Sequence, residues 1–203
     1  MLRYAAAGDM AGADALLTEC LSEAMPRMRY AVCYGEFPIQ ITDRGVLTDA
    51  FVLPGKDAAK HLAGCHKIVL FAATVGMGID RLIAKYGVLA PSKALFMQGL
   101  GAERIESLCD VFCKELEAEK EKTGEYVRPR FSPGYGDLPL SVQRDIFRVL
   151  EPSRKIGLTL NESLLMSPAK SVTAIVGISK APCGETHHTC GICDKKDCAY
   201  RSI

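Results

Sequence analysis

The sequence predicts a mixed fold, α/β or α+β, from three observations. Helical and strand-like periodicities alternate along the chain, the strand-like runs are short and rich in β-branched residues, and no internal repeat or long linker interrupts them before Lys180-Ala181-Pro182. With 203 residues and 48% hydrophobic content, the chain can bury a substantial core as one domain. The expected division is a body over residues 1–180 and a compact Cys-rich tail over 181–203.

From Asp9 to Ala24 apolar residues recur at Ala13, Leu16, Leu17, Cys20, Leu21 and Ala24, the spacing of an amphipathic helix that Pro26 stops. Tyr30 to Leu53 is β-branched and aromatic, punctuated by Phe37-Pro38 and Asp43-Arg44-Gly45, and reads as a hairpin. A short helix over Lys56–Leu62, a buried strand over Lys67–Thr74 and a helix over Gly78–Tyr86 follow. Pro91 opens the longest helical pattern, with Ala94, Leu95, Met97, Leu100, Ile105, Leu108, Phe112 and Leu116 on its apolar side; Gly99 and Gly101 weaken it where another backbone is expected to pass close. A helix over Leu140–Leu150 capped by Ser141 and strands over Leu158–Leu165 and Ser171–Ile178 complete the body.

Charge narrows the function. Lys and Arg number 25 against 24 Asp and Glu, a formal charge of +1, so no global field draws in nucleic acid or an anionic membrane. The longest apolar run, Ile68–Ala73, is too short to cross a bilayer, and the N-terminus lacks the hydrophobic core of a signal peptide; a cytoplasmic address is expected.

Nine cysteines, an odd number, point to thiols or metal ligands rather than a disulfide scaffold. Cys20, Cys33, Cys65, Cys109 and Cys113 are scattered among apolar neighbours, whereas Cys183, Cys190, Cys193 and Cys198 fall within sixteen residues, with His187 and His188 in the same segment. Four thiolates can close a tetrahedral zinc site or hold an iron–sulfur cluster. The spacing favours a metal over free thiols or a redox pair and does not separate the two metal chemistries.

Arg128-Pro129-Arg130-Phe131-Ser132-Pro133-Gly134-Tyr135-Gly136 sets an arginine, a glycine and a tyrosine within six positions between stiffening prolines. Arg130 can hold a carboxylate in a forked pair, Gly134 permits close backbone approach, and Tyr135 can border a ring. That loop, with Asn161-Glu162-Ser163, Met166-Ser167-Pro168 and Lys170-Ser171-Val172-Thr173-Ala174, resembles the S-adenosylmethionine-binding activation domain of cobalamin-dependent methionine synthase, specifically over about Leu100 to Ile178. The resemblance implies a twisted, largely antiparallel sheet flanked by helices. It also implies that Arg130, Ser132, Gly134 and Tyr135 bind S-adenosylmethionine, with Glu106 on the long helix pairing with the ligand's ammonium. Gly136 stands where the family commonly has proline, which predicts a looser loop exit, and Ile175, Val176 and Gly177 stand where methionine synthase carries a further aromatic.

The activity so implied is reactivation: the protein docks on the cobalamin-binding module of a methionine synthase or related corrinoid methyltransferase and offers S-adenosylmethionine as methyl donor, while an electron donor such as flavodoxin or ferredoxin supplies the electron. Catalysis is then proximity and orientation, and no catalytic side chain is assigned. Two alternatives stand beside it, a non-enzymatic scaffold for a corrinoid protein and a metal or redox protein working through the Cys tail. Ala73-Thr74-Val75-Gly76-Met77-Gly78 reads as a tight strand-to-helix turn rather than a nucleotide loop, His61 and His66 as satisfied neighbours, and Glu115–Lys122 as a solvated helix end.

Overall fold

A computed structural model describes residues 10–43 and 45–182. Its elements run α1 (Met10–Ala24), a single 3₁₀ turn (Met25–Arg27), β1 (Ala31–Thr42), β2 (Gly45–Thr48), β3 (Val52–Leu53), α2 (Lys56–His61), β4 (Cys65–Thr74), α3 (Met77–Leu89) and α4 (Pro91–Glu121). They continue with β5 (Tyr126–Val127), α5 (Val142–Leu150), α6 (Pro152–Ile156), β6 (Thr159–Leu160), β7 (Met166–Ser167) and β8 (Ser171–Ser179). Six strands form one antiparallel sheet in the order β3-β2-β1-β4-β8-β5, and β6 and β7 form a separate two-stranded ribbon.

The apolar run in β4 arises because both faces of the sheet are covered. Val69, Phe71 and Ala73 of β4, with Ala174, Val176 and Ile178 of β8, pack against α1, α3 and α4. Ile68, Leu70 and Ala72, with Ile175, meet Ala58, Leu62, Leu138, Val142, Ile146 and Leu150 on the other face. A strand buried on both sides loses the apolar and polar alternation of a half-exposed one. Gly76 (φ +81°) makes the tight turn from β4 into α3.

Five local expectations are revised. Leu95, expected on the apolar side of α4, is exposed. Leu158–Leu165 is not one strand: Asn161 accepts a hydrogen bond from the Leu165 amide (2.9 Å) and from the Leu164 amide through its main-chain carbonyl (3.1 Å), so the segment turns between β6 and β7. Ser141 makes no side-chain cap; the α5 entrance is closed by main-chain bonds from Val142, Gln143 and Arg144 to Pro139, Leu140 and Ser141. Gly101 yields to the side chains of Lys170 and Ile79 rather than to a passing backbone. Lys120, inside the supposedly solvated run, is buried and donates to the Glu36 carboxylate of β1.

Candidate ligand-binding site

The site is built where one chain segment leaves the sheet. Arg128 donates its amide to Gly177 of β8 (2.8 Å), and Phe131 exchanges both main-chain hydrogen bonds with Ile175 (2.8 Å each). His61 of α2 braces this stretch, donating through Nε2 to the Pro129 carbonyl (2.6 Å) and stacking on the Phe131 ring at 5.2 Å. After Phe131 the chain turns away, the Tyr135 amide bonding Ser132 (3.2 Å) and the Gly134 amide bonding Leu138 (2.9 Å). Gly134 has φ +93°, a conformation that a side chain would strain.

The loop exit is locked rather than loose. Asp137 accepts from the Lys56 and Asp57 amides at 2.6 and 3.0 Å, capping α2 from a distant part of the sequence. Gly55 (φ +107°) leaves room for the Asp137 carboxylate and Gly136 (φ +56°) for that of Asp57; a Cβ at either glycine would lie 2.4 or 2.6 Å from the facing oxygen. Glycine is required at these positions because a backbone and a carboxylate pass side by side.

Arg130 reaches back to α4, where Nη2 donates to Glu106 (2.6 Å) and Nη1 to Asp110 (2.8 Å). The two acids sit one helical turn apart, the i and i+4 positions that share a face. Cys109 and Cys113 lie in the field of the same guanidinium, but burial pushes the Cys109 thiol up to about 12 and the Cys113 thiol upward as well, so neither is a thiolate nucleophile at neutral pH.

Beside Arg130 opens a cavity of about 410 Å³ between the loop, α4, α5, the β6–β7 ribbon and β8. Of the residues expected from sequence, Glu106, Arg130, Ser132 and Tyr135 line it together; Gly134 does not line it and instead shapes the turn. Tyr135, 68% exposed, stands at the mouth. Cys183, Cys190, Cys193 and Cys198 lie outside the described residues, and among those described no group of three or more His, Cys, Asp or Glu could hold a metal. A second cavity of about 380 Å³ lies on the other side of Arg130, lined by Asp110, Cys113, Lys114 and Glu117 among others.

Sequence reasoning assigned no ligand role to Asp110, Gln143, Met166 or Thr173, although Met166 and Thr173 fall in the segments that carry the resemblance. Gln143, 6% exposed on α5, and Thr173, 2% exposed on β8, both line the first cavity, and neither the Gln143 Oε1 nor the Thr173 Oγ1 finds a hydrogen-bond partner among the described residues. A buried polar atom left unpaired costs roughly 1–3 kcal/mol. The signal available in the sequence was a glutamine on the apolar face of α5, between Val142 and Ile146. The cavity therefore has a charged wall at Glu106 and Arg130, a neutral polar one at Gln143 and Thr173, and apolar surface from Phe131, Pro133, Met166 and Val172.

Comparison with known proteins bears on this arrangement. A solved structure described as the MetH reactivation domain bound to AdoHcy superposes with a TM-score of 0.65 at 19% identity, covering 87% of this chain and 71% of that one, which establishes a shared fold. No curated protein matches the sequence. The family model for the activation domain of vitamin B12-dependent methionine synthase matches residues 47–198, about three quarters of the chain, including the loop, the long helix and β8. The chain belongs to the family of the vitamin B12-dependent methionine synthase activation domain.

Proposed function

We propose that this protein binds S-adenosylmethionine in the cavity beside Arg130 and presents its methyl group, in trans, to the cobalamin of a methionine synthase or related corrinoid methyltransferase. The observation that carries the reading is that Glu106, Arg130, Ser132 and Tyr135, separated by up to 29 positions in sequence, line one cavity of about 410 Å³, within the range of small-molecule sites of roughly 300–1,000 Å³. The structural relative bound to AdoHcy supports the same ligand class.

The residues present fit such a ligand. The Arg130 fork suits the amino-acid carboxylate, Glu106 the ammonium, and Phe131, Met166 and Tyr135 the apolar faces of the nucleoside. Bound S-adenosylmethionine supplies an activated methyl group for the partner's cobalamin, with the electron coming from a donor such as flavodoxin or ferredoxin. This chain's own residues bind and orient. Asp110 holds Arg130 from behind, the His61 and Phe131 stack fixes the loop against β8, and the Asp137 cap ties it to α2. Catalysis by positioning needs rigidity of this kind.

The test is reconstitution. An oxidatively inactivated methionine synthase that lacks its own activation domain should recover turnover when given this protein, S-adenosylmethionine and a reductant. Equal recovery without this protein overturns the proposal.

A further inference from the structure

Resting on the reading just given, we infer that Gln143 and Thr173 hold the nucleoside end of S-adenosylmethionine, and that the open edge of β8 acts there as a strand partner for the ligand. Three observations converge. The Gln143 carboxamide oxygen and the Thr173 hydroxyl are the two unpaired buried polar side-chain atoms on residues lining the cavity. Both residues are neutral and distinct from the charged pair Glu106 and Arg130 that suits the amino-acid end. The third observation is the alternation of the β8 ladder.

In an antiparallel strand, successive residues aim their main-chain groups to opposite sides. Ile175 directs both of its groups outward to Phe131, and the Gly177 carbonyl points the same way to accept from Arg128. Two residues before Ile175, Thr173 must also present its N–H and C=O on that outer side. Opposite it the chain has already turned through Ser132–Tyr135, and no main-chain or side-chain hydrogen bond fills the place among the described residues. Thr173 therefore offers a main-chain donor, a main-chain acceptor and a hydroxyl at the cavity wall, and Gln143 adds an amide that can donate or accept according to its rotation. A purine edge with adjacent donor and acceptor, or a ribose diol, satisfies such a set; a methionine side chain does not.

The test compares methylthioadenosine, which carries the nucleoside without the amino acid, with S-adenosylmethionine, by calorimetric titration of the full chain and its variants. Gln143→Leu and Thr173→Val should each weaken methylthioadenosine by about tenfold, and S-adenosylmethionine by a similar factor. Arg130→Met should weaken S-adenosylmethionine and leave methylthioadenosine unchanged. As a measurement that needs no variant, the Gln143 side-chain amide and the Thr173 main-chain amide should shift in a ¹⁵N spectrum when methylthioadenosine is added to the unaltered protein. If the unaltered protein binds S-adenosylmethionine but both variants keep their affinity and neither amide moves, this inference fails and the function above stands. If the unaltered protein binds neither molecule, both readings fall.

Discussion

Replacing Arg130 by methionine removes the guanidinium while keeping most of the side chain's length and apolar stem. In the ligand-free protein the lost interactions are two ion pairs to α4, with Glu106 at 2.6 Å and Asp110 at 2.8 Å, and both carboxylates are more than half exposed. Exposed pairs of this kind contribute roughly 0.2–1 kcal/mol each, and two like charges one helical turn apart then cost about 0.2–0.5 kcal/mol more. Together these come to about 0.6–2.5 kcal/mol, so the thermal midpoint should fall by about 1–10 °C for a chain of this size. The ligand loses more. A charge-assisted bond from a forked guanidinium to a carboxylate is worth roughly 1.5–3 kcal/mol, so affinity for S-adenosylmethionine should drop by about 10- to 150-fold. Glu106 and Asp110, no longer neutralised, also repel the ligand's carboxylate. Arg130→Lys keeps the charge without the fork and should fall between the two. Titration calorimetry and a thermal melt on the same samples separate binding from folding. Affinity within about threefold of the unaltered protein in Arg130→Met, against the expected loss, would sink the assignment of Arg130 to the carboxylate.

Three further outcomes are expected. Asp137→Ala removes the α2 cap and should cost about 1–2 kcal/mol by denaturant unfolding while also weakening S-adenosylmethionine, because the cap holds the loop exit; a loss of stability with no change in affinity would show that the loop holds its shape without it. Hydrogen bonds from Tyr86 and Lys93 hold the Glu23 carboxyl down from about 4.5 to about 2, so its stabilisation is complete above the unfolded value and is lost as pH falls from 4.5 toward 2; unfolding measured against pH should show that decline, and Glu23→Gln should flatten it by on the order of 1 kcal/mol after allowance for solvent screening. Truncation after Pro182 should leave S-adenosylmethionine affinity unchanged, since the described cavity lining ends at Thr173, and a loss of binding would move the domain boundary at residue 181.

The sequence was most legible where one local pattern decides one element. The spacing of Ala13, Leu16, Cys20 and Ala24 placed α1, and the apolar run through Ile68–Ala73 placed β4 as a buried strand. It was least legible where a partner far along the chain decides. Asp137 reads as an ordinary turn residue until α2, eighty positions earlier, is folded against it. Lys120 reads as solvated until Glu36 of β1 arrives beneath α4. At the site, the compact Arg130–Tyr135 loop announced itself because proline, glycine and arginine are informative within a few positions. Gln143 carried only a weak local signal, a glutamine on an apolar helix face, and Thr173 only its place in a recognised segment; their significance at the site comes from missing hydrogen-bond partners, a property of the folded molecule.

The early turn of the loop away from β8 leaves a mark on the protein's solvent exchange. β8 lies between β4 and the β5 segment and is buried on both faces, so the amides of Val172, Ala174, Val176 and Ile178, which face β4, should be among the slowest in the molecule to take up deuterium. The Thr173 amide, in the middle of that protected series, faces the open edge and should exchange quickly. A fast Thr173 amide between the slow Val172 and Ala174 would then serve as a built-in reporter: any molecule that seats against the strand edge there should slow it, and the degree of slowing measures occupancy without a label or an activity assay.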